Sequence, residues 1–536
     1  PVVLTNKITT GAAGSSTVII TDSSNSIAQT DPESRILITS LSGTDNETVT
    51  LDGVTLTVGE YLCKYLSAST YSLTAVSGTG ASISGTASSG SQTGGGAMTI
   101  RYIVSNGSED GSTAFGWGSG LWGQSTWGTP RTAGVAGTQI SPRVWSVDAY
   151  GEDIICAPAE GTDTAYYIDT SAFEDAKSTY RGTTLKKYLT DLSLDGSQVP
   201  VLCGKVMVST PDRHVVFFGA NAFGTTNFDP MLVRFSSQED LSAWTPAIEN
   251  SAGDQRIGTG TKIQTASKGR GQLLIHTDVD VYSMQFVGPP FTFAFQQVSD
   301  TAGSISENCV SMVEGAAYWM TQNNFYVFDG SVQSLECSVH ESVFDNLSKN
   351  QIEKVTSGTN TKFNEIWWFY PSLNSSTIDK YVIYNYLDRT WSIGSSLNRT
   401  AWNDYNIFAV PLAADTDGYI YEQESGYNNV NAAMTAFIET GFFNGDETGN
   451  NMYFMDKIIP DTKFESGTDI KFQLKSKRYP NGAETTKGPF TLTSSTNKLN
   501  LRARGRSFQT KYFSDAKDTQ WRLGTWRAQA QADGTR

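Results

Sequence analysis

Residues 1 to 104 carry short runs that alternate or are rich in β-branched side chains: Thr17-Val18-Ile19-Ile20-Thr21, Arg35-Ile36-Leu37-Ile38-Thr39, Thr48-Val49-Thr50-Leu51 and Val54-Thr55-Leu56-Thr57-Val58. A period of two places such residues on one face of a pleated strand. Asp52-Gly53, between the last two runs, is a two-residue hairpin signal. The pattern predicts a small β-sandwich or barrel over 1–104. Gly78 to Gly96, dominated by Ser, Gly, Thr and Ala, reads as its loop or flexible exit.

From about residue 140 to 430 the apolar runs recur in a loose unit of roughly 45 to 60 residues. The first holds Arg143–Val147, Asp153–Ala157 and Ala165–Asp169. The second holds Lys205–Val208, His214–Phe218 and Leu232–Phe235, ending near Trp244. Ile263–Ala266, Gln272–His276, Val281–Met284 and Phe293–Val298 form a third, and Val310–Val313, Ala316–Met320, Asn324–Phe328 and Val332–Leu335 a fourth. The fifth has Lys354–Ser357, Glu365–Tyr370, Lys380–Tyr384 and Thr390–Ile393; a shorter sixth has Ile407–Val410 and Gly418–Glu422. Three or four short strands per unit, repeated about six times, predict an all-β chain with a β-propeller of about six blades, each sheet covering the face of the next. A pair of stacked β-sandwiches fits the same strand lengths. Residues 431 to 536 predict a further β domain, in which Leu499, Leu501 and Ala503 alternate with Asn500, Arg502 and Arg504.

Composition agrees with this division. Every Trp and Phe lies after residue 114, whereas 1–104 carries only Tyr among the aromatics. Charged residues make up only 17% of the chain while Gly numbers 50, the balance of short strands and tight turns. The net charge of −15 argues against phosphate neutralisation by the chain as a whole. From Lys498 to Arg536, however, nine Lys or Arg face three Asp, so this stretch is +6 and the remainder −21. Arg502, Arg504, Arg506 and Lys511 are accordingly the candidate basic face, for an acidic partner or brief DNA contact. An ordinary solvated strand face has the same composition.

Between the first module and the repeats, 105–139 is a connecting segment built on Gly116-Trp117-Gly118-Ser119-Gly120-Leu121-Trp122-Gly123-Gln124-Ser125-Thr126-Trp127-Gly128. Stacking on single-stranded nucleic acid would need basic residues among the rings, and none is there. Trp117, Trp122 and Trp127 therefore read as packing or subunit-contact aromatics.

Candidate chemistry is sparse. His214, His276 and His340 are isolated, with no metal-ligand or HExxH spacing, and packed or exposed imidazoles are expected rather than ligands or bases. The five Cys lack CxxC spacing, so neither a disulfide nor a zinc framework is expected, and the chain reads as made in a reducing cytoplasm. No G-x-S-x-G elbow occurs at Gly303-Ser304-Ile305-Ser306 or Gly394-Ser395-Ser396. Asp148, Glu152, Asp153, Asp278, Asp280 and Asp388 could pair as glycosidase carboxylates, but all fall at turns, where acidic residues are routine. Asp278-Val279-Asp280 and Asp415-Thr416-Asp417-Gly418 hint at calcium loops and read more simply as hairpin turns. Gly258-Thr259-Gly260-Thr261-Lys262 falls short of a phosphate-cradling loop. No apolar run reaches the ~18 residues of a membrane span, and the start, Pro1 to Lys7, lacks a signal-peptide pattern. The expectation is a structural protein: no enzyme, no cofactor, no metal site, no membrane insertion.

Tyr384-Asn385-Tyr386-Leu387-Asp388-Arg389-Thr390-Trp391 resembles the outer turn of a kelch-type blade in architecture only, because the kelch double glycine is absent. Three stretches together resemble the tail nozzle, or packaged-DNA-stabilising (tail tubular), proteins of short-tailed bacteriophages. They are Gly116 to Gly128, the following Ser141-Pro142-Arg143-Val144-Trp145-Ser146-Val147-Asp148-Ala149-Tyr150-Gly151-Glu152-Asp153, and Arg502-Ala503-Arg504-Gly505-Arg506 through Trp521-Arg522-Leu523-Gly524 to Arg536. The resemblance spans roughly the last four fifths of the chain and lies in phrase order rather than in one signature. It implies a hexameric ring in the virion tail, assembled in the host cytoplasm. Such a ring sits below the adaptor or connector ring, contacts tail fibre or needle proteins, and continues the DNA channel. The alternatives are a receptor-binding or glycan-degrading tail protein, with carboxylates clustered beside aromatic platforms, and a secreted kelch-like module, which would want a signal peptide and paired cysteines.

Overall fold

The computed structural model describes residues 2–23, 34–41, 47–103, 110–113, 139–140, 142–158, 161, 163–171, 183–467 and 469–534. It is all-β, made of many small antiparallel sheets. The chain divides into two compact units, residues 1–404 with 414–419, and residues 405–413 with 420–536. The second unit thus begins ahead of residue 431, the predicted start of the last domain.

The unit containing the N-terminus opens with an eight-stranded sheet. In spatial order its strands are Val2–Thr5, Ala97–Ile103, Arg35–Ser40, Gly59–Ser67, Thr70–Ala75, Val18–Thr21, Ile8–Thr10 and Thr93–Gly94. Thr48–Leu51, Val54–Thr57 and Ile83–Ser84 form a smaller sheet, and Ile20, Ile36, Tyr61, Tyr71 and Ile100 are fully buried in the core of this module. The Asp52-Gly53 turn takes the conformation its sequence predicts, with φ of 51° and 84°; positive φ at both positions matches the twist of the flanking strands. The Asp52 carboxylate then accepts hydrogen bonds from the Ser89 amide at 2.9 Å, the Ser89 hydroxyl at 2.7 Å and the Gly90 amide at 2.7 Å. Those bonds, the Ser89 hydroxyl first, hold its carboxyl below the usual range. The stretch Gly78–Gly96 is therefore no free exit: it contributes two short strands and is clasped at Ser89 and Gly90, because Thr and Ile in a Ser/Gly-rich setting are enough to close a ladder edge.

Five four-stranded sheets follow one another in chain order, each with its strands paired in sequence. Their first strands are Trp145–Tyr150, Cys203–Val208, Ile263–Gly269, Val310–Val313 and Thr356–Asn360. A shorter sheet holds Arg399–Asn403, Leu412–Asp415 and Ile420–Glu422. Ile407–Val410, predicted as a strand of that last repeat, is a series of bends with Ile407 91% exposed. The apolar run had no neighbouring strand to pair with, and Arg399–Asn403 takes the ladder position instead. The outermost strands Thr183–Thr184 and Gly253–Arg256, and the helix Leu185–Asp191, carry too little apolar pattern to be read beforehand.

First strands bond to one another across sheets. The Val206 and Val208 amides donate to Ser146 Oγ and Asp148 Oδ2 at 3.0 and 2.7 Å, and Ser357 N donates to the Asn308 carbonyl at 2.8 Å. Trp402 Nε1 donates to the Thr359 carbonyl at 2.6 Å. Its indole reaches that place because Gly358 has no side chain; a Cβ there would meet Trp402 Cγ at 2.4 Å. Between sheets lie large buried rings, Trp244, Trp319 and Trp368, each with its indole N–H bonded to a backbone carbonyl, of Leu241, Ala302 and Cys309 respectively. Burying a ring of that size contributes most when its one polar group is also satisfied.

In the second unit, the sheet built on Asp469–Lys477, Glu484–Thr493, Ser507–Ser514 and Ala436–Glu439 and the sheet built on Leu499–Gly505, Tyr453–Ile459 and Arg527–Ala532 share a core of Met455, Ile470, Phe472, Leu474, Phe508 and Tyr512.

Candidate functional sites

The candidate basic residues fall on two sheets. On Leu499–Gly505, Leu501 and Ala503 are buried while Arg502 and Arg504 are exposed; Arg504 pairs with Asp533. Arg506 donates to the carbonyls of Arg478 at 2.7 Å and Asn450 at 3.1 Å and lies over the Tyr479 ring. Lys511, on Ser507–Ser514, pairs with Glu439 at 3.3 Å and covers Phe437. The four side chains do not make one continuous face, and Arg504 and Lys511 are partly neutralised by acidic neighbours that strand alternation alone does not disclose. Trp117, Trp122 and Trp127 lie outside the described residues.

The histidines occupy three environments. His276 is fully buried in its strand, edge-on to Trp319 at 4.9 Å, and burial pushes its imidazole down to about 3. His340 is exposed, with Nε2 at 2.7 Å from the Asn323 carbonyl. His214, also fully buried, completes a chain that separate sequence positions hide: Nδ1 lies 2.7 Å from Asp212 Oδ2, and Nε2 lies 3.0 Å from Ser251 Oγ. The order carboxylate, imidazole, hydroxyl is that of an activated serine. The backbone amides beside Ser251 do not form an oxyanion hole, since the Ser251 N–H points at Ser237 Oγ and the Ala252 N–H at Asn250 Oδ1. Phe235, Phe286 and Phe293 pack round the imidazole. Burial pushes the Asp212 carboxyl up, but hydrogen bonds from His214 and Ser209 outweigh it and hold the group below its ordinary value. The chain thus ties the turn 209–214 to the loop at Ser251.

The turn carboxylates are used locally. Asp153 accepts from Tyr167 OH at 2.7 Å and Thr170 N at 2.8 Å, Asp278 from Thr261 N at 2.8 Å, and Asp280 from Gln297 at 2.9 Å. Asp415 receives Arg399 and the Thr416 amide. Among the described residues no group of three or more His, Cys, Asp and Glu is placed to hold a metal, and no helix is long and apolar enough to cross a membrane.

The first strands line two cavities, of about 390 and 310 Å³, which share Lys205 and Asn308. The larger is walled by Trp145, Asp148 and Lys268, the smaller by Glu307, Thr356 and Trp402. Two ion pairs sit here. Lys268 meets Asp148 at 2.7 Å, and Lys205 faces Glu307 at 3.6 Å. Lys205 Nζ donates to Thr265 Oγ1 at 2.7 Å, and Thr265 in turn donates to the Glu307 carbonyl at 2.6 Å. Glu307 is 5% exposed, its Oε1 accepts no hydrogen bond, and burial raises its carboxyl above the ordinary range. Sequence reading missed Glu307, Lys205 and Asn308 because the polar residues come from separate repeats and share no local motif.

No family model matches the chain, and no curated protein matches it. Among solved structures it is similar to a streptogramin B lyase, at 6% identity with 54% of this chain and 85% of the other covered and a TM-score of 0.30. It is similar also to the SapL1 lectin in complex with alpha methyl fucoside, at 10% identity, 51% and 87% coverage and TM-score 0.30. A candidate 6-phosphogluconolactonase from Bacteroides uniformis matches at 10% identity, 75% and 94% coverage and TM-score 0.34. Likeness at this level carries no argument about activity.

Proposed function

We propose that the chain is a structural subunit of a short-tailed phage tail, a nozzle protein whose hexameric ring continues the DNA channel below the adaptor or connector ring, retains packaged DNA and releases it at infection. The consecutive small sheets are then the blades of a propeller of about six blades, a rigid body whose task is assembly rather than turnover. The observation that carries this reading is that run of sheets, with first strands bonded to one another and rings such as Trp319 and Trp368 buried between them. The phrase order of Gly116–Gly128, 141–153 and the C-terminal Arg-rich run, which resembles that of the nozzle proteins, supports the choice of family.

Two features of composition and surface support an assembly role. The chain is acidic overall, at −15, and an acidic channel wall lets a polyanion pass without adhering. The strand Arg527–Ala532 is exposed along all six residues, which is what a contact with a neighbour uses. On this reading Arg502 and Arg506 would meet the adaptor ring, a fibre or needle protein, or passing double-stranded DNA, and Trp117, Trp122 and Trp127, which lie outside the described residues, would serve a subunit contact. Localisation follows as the virion tail, after assembly in the host cytoplasm. Negative-stain imaging of the purified protein tests the reading. A closed ring of several copies is expected; a monomer at assembly concentrations, a trimeric spike, or cleavage of host surface sugar overturns it.

A further inference from the structure

The two adjoining cavities on the first strands have no part in an assembly role, and their chemistry is specific. Glu307 is 5% exposed and its Oε1 accepts no hydrogen bond, while Lys205 Nζ stands 3.6 Å away, beyond hydrogen-bond range. Both residues are among those lining the smaller cavity. An ammonium carries three N–H groups, and Lys205 gives one of them to Thr265. Residues able to donate and to accept therefore border one space.

The charges of the cleft cancel: Lys205 against Glu307, Lys268 against Asp148. A charged ligand would bring an uncompensated charge into a partly desolvated place, so a neutral one is favoured. A hydroxyl can donate to a carboxylate and accept from an ammonium at once, and a second hydroxyl on the adjacent carbon could be met by Asn308, which with Lys205 lines both cavities. Val310 and Trp402 give the smaller cavity apolar wall, and Trp402 is held rigid by stacking on Trp367 at 5.7 Å. Volumes of about 310 and 390 Å³ fall within the ~300 to 1,000 Å³ of small-molecule sites and far above the ~30 Å³ of one water.

We propose that this cleft binds a small neutral polyol, one sugar residue presenting a vicinal diol, with Glu307 and Lys205 as the bonding pair and Asn308 at the junction. The proposal does not depend on the nozzle reading, because sugar binding and ring assembly are measured separately. The test is saturation-transfer NMR and isothermal titration of the full chain with the methyl glycosides of glucose, galactose, mannose and N-acetylglucosamine. At least one is expected to bind with a Kd of about 1 mM or tighter, and Glu307→Gln to weaken it about tenfold. Asn308 is exposed, so Asn308→Phe fills the junction without disturbing the buried pair; it is expected to abolish binding at unchanged melting temperature and decides the matter if the Glu307 variant does not fold. Lys187→Gln, in a remote exposed pair, is the control and leaves the Kd unaltered. Absence of saturation transfer from all four probes, which leaves a water-filled cleft, or binding that survives Asn308→Phe, overturns the proposal.

Discussion

Val215–Asn221 and Arg527–Ala532 are both β-strands, yet every residue of the first is buried and every residue of the second exposed. The first reads Val-Val-Phe-Phe-Gly-Ala-Asn, apolar up to its last residue, with sheets packed on both faces. The second reads Arg-Ala-Gln-Ala-Gln-Ala and pairs on one side only, with Tyr453–Ile459. Strand formation is therefore a weak constraint on sequence here. What distinguishes the two is whether the faces have something to cover them. The repeats supply the cover internally, and Arg527–Ala532 leaves it to something else.

Breaking the internal cover should have the largest effect. Trp319→Ala removes a fully buried ring and its bond to Ala302, and is expected to cost about 3 to 5 kcal/mol in denaturant unfolding; a loss under ~1 kcal/mol would show that the sheets do not depend on the ring. Asp212→Ala should cost about 1 to 3 kcal/mol by leaving the buried His214 Nδ1 without its carboxylate. A stability equal to wild type would mean that the chain to Ser251 does not hold the turn 209–214.

His276 gives a comparison in pH. Its folded value, about 3, lies below the ordinary 6.5, so below pH 6.5 the unfolded chain binds a proton that the folded chain refuses. Stability due to this residue is then complete above pH 6.5 and falls as pH drops towards 3, by at most about 1.4 kcal/mol per pH unit. His276→Leu should flatten the pH dependence of the unfolding free energy over that window; an unchanged slope would show that the ring is not held neutral.

The smallest effect on folding belongs to the exposed strand. Ala530→Glu is expected to shift stability by no more than ~0.5 kcal/mol, while reducing the share of multi-copy species in sedimentation if this strand is a contact. A substantial unfolding penalty would mean that the strand is already covered within the chain.

The same contrast explains what was legible in the sequence. Runs such as Ala316–Met320 and Ile366–Tyr370 announce themselves because whole or partial burial of both faces favours apolar residues at successive positions. Gly253–Arg256 passed unseen because an outermost strand needs only one neighbour and tolerates Gly-Asp-Gln-Arg. Ile407–Val410 misled for the converse reason: an apolar run with no partner strand stays outside any ladder. The cleft was the least legible part, because Lys205, Glu307 and Asn308 acquire meaning only when first strands of different repeats are brought side by side. The basic residues were half legible. Alternation placed Arg502 and Arg504 outward, but it could not foresee Asp533 and Glu439 beside Arg504 and Lys511.

Trp244, Trp319 and Trp368 stand at different places along the run of sheets, dry and bonded through their indole nitrogens. Each is thereby a fluorophore whose emission reddens only when water enters its own stretch of the run. Replacing one of the three at a time by Phe and subtracting each variant's emission from that of the full chain, which has twelve Trp, would report whether the repeats come apart together or peel from one end, a question of cooperativity that a single global melting curve averages away.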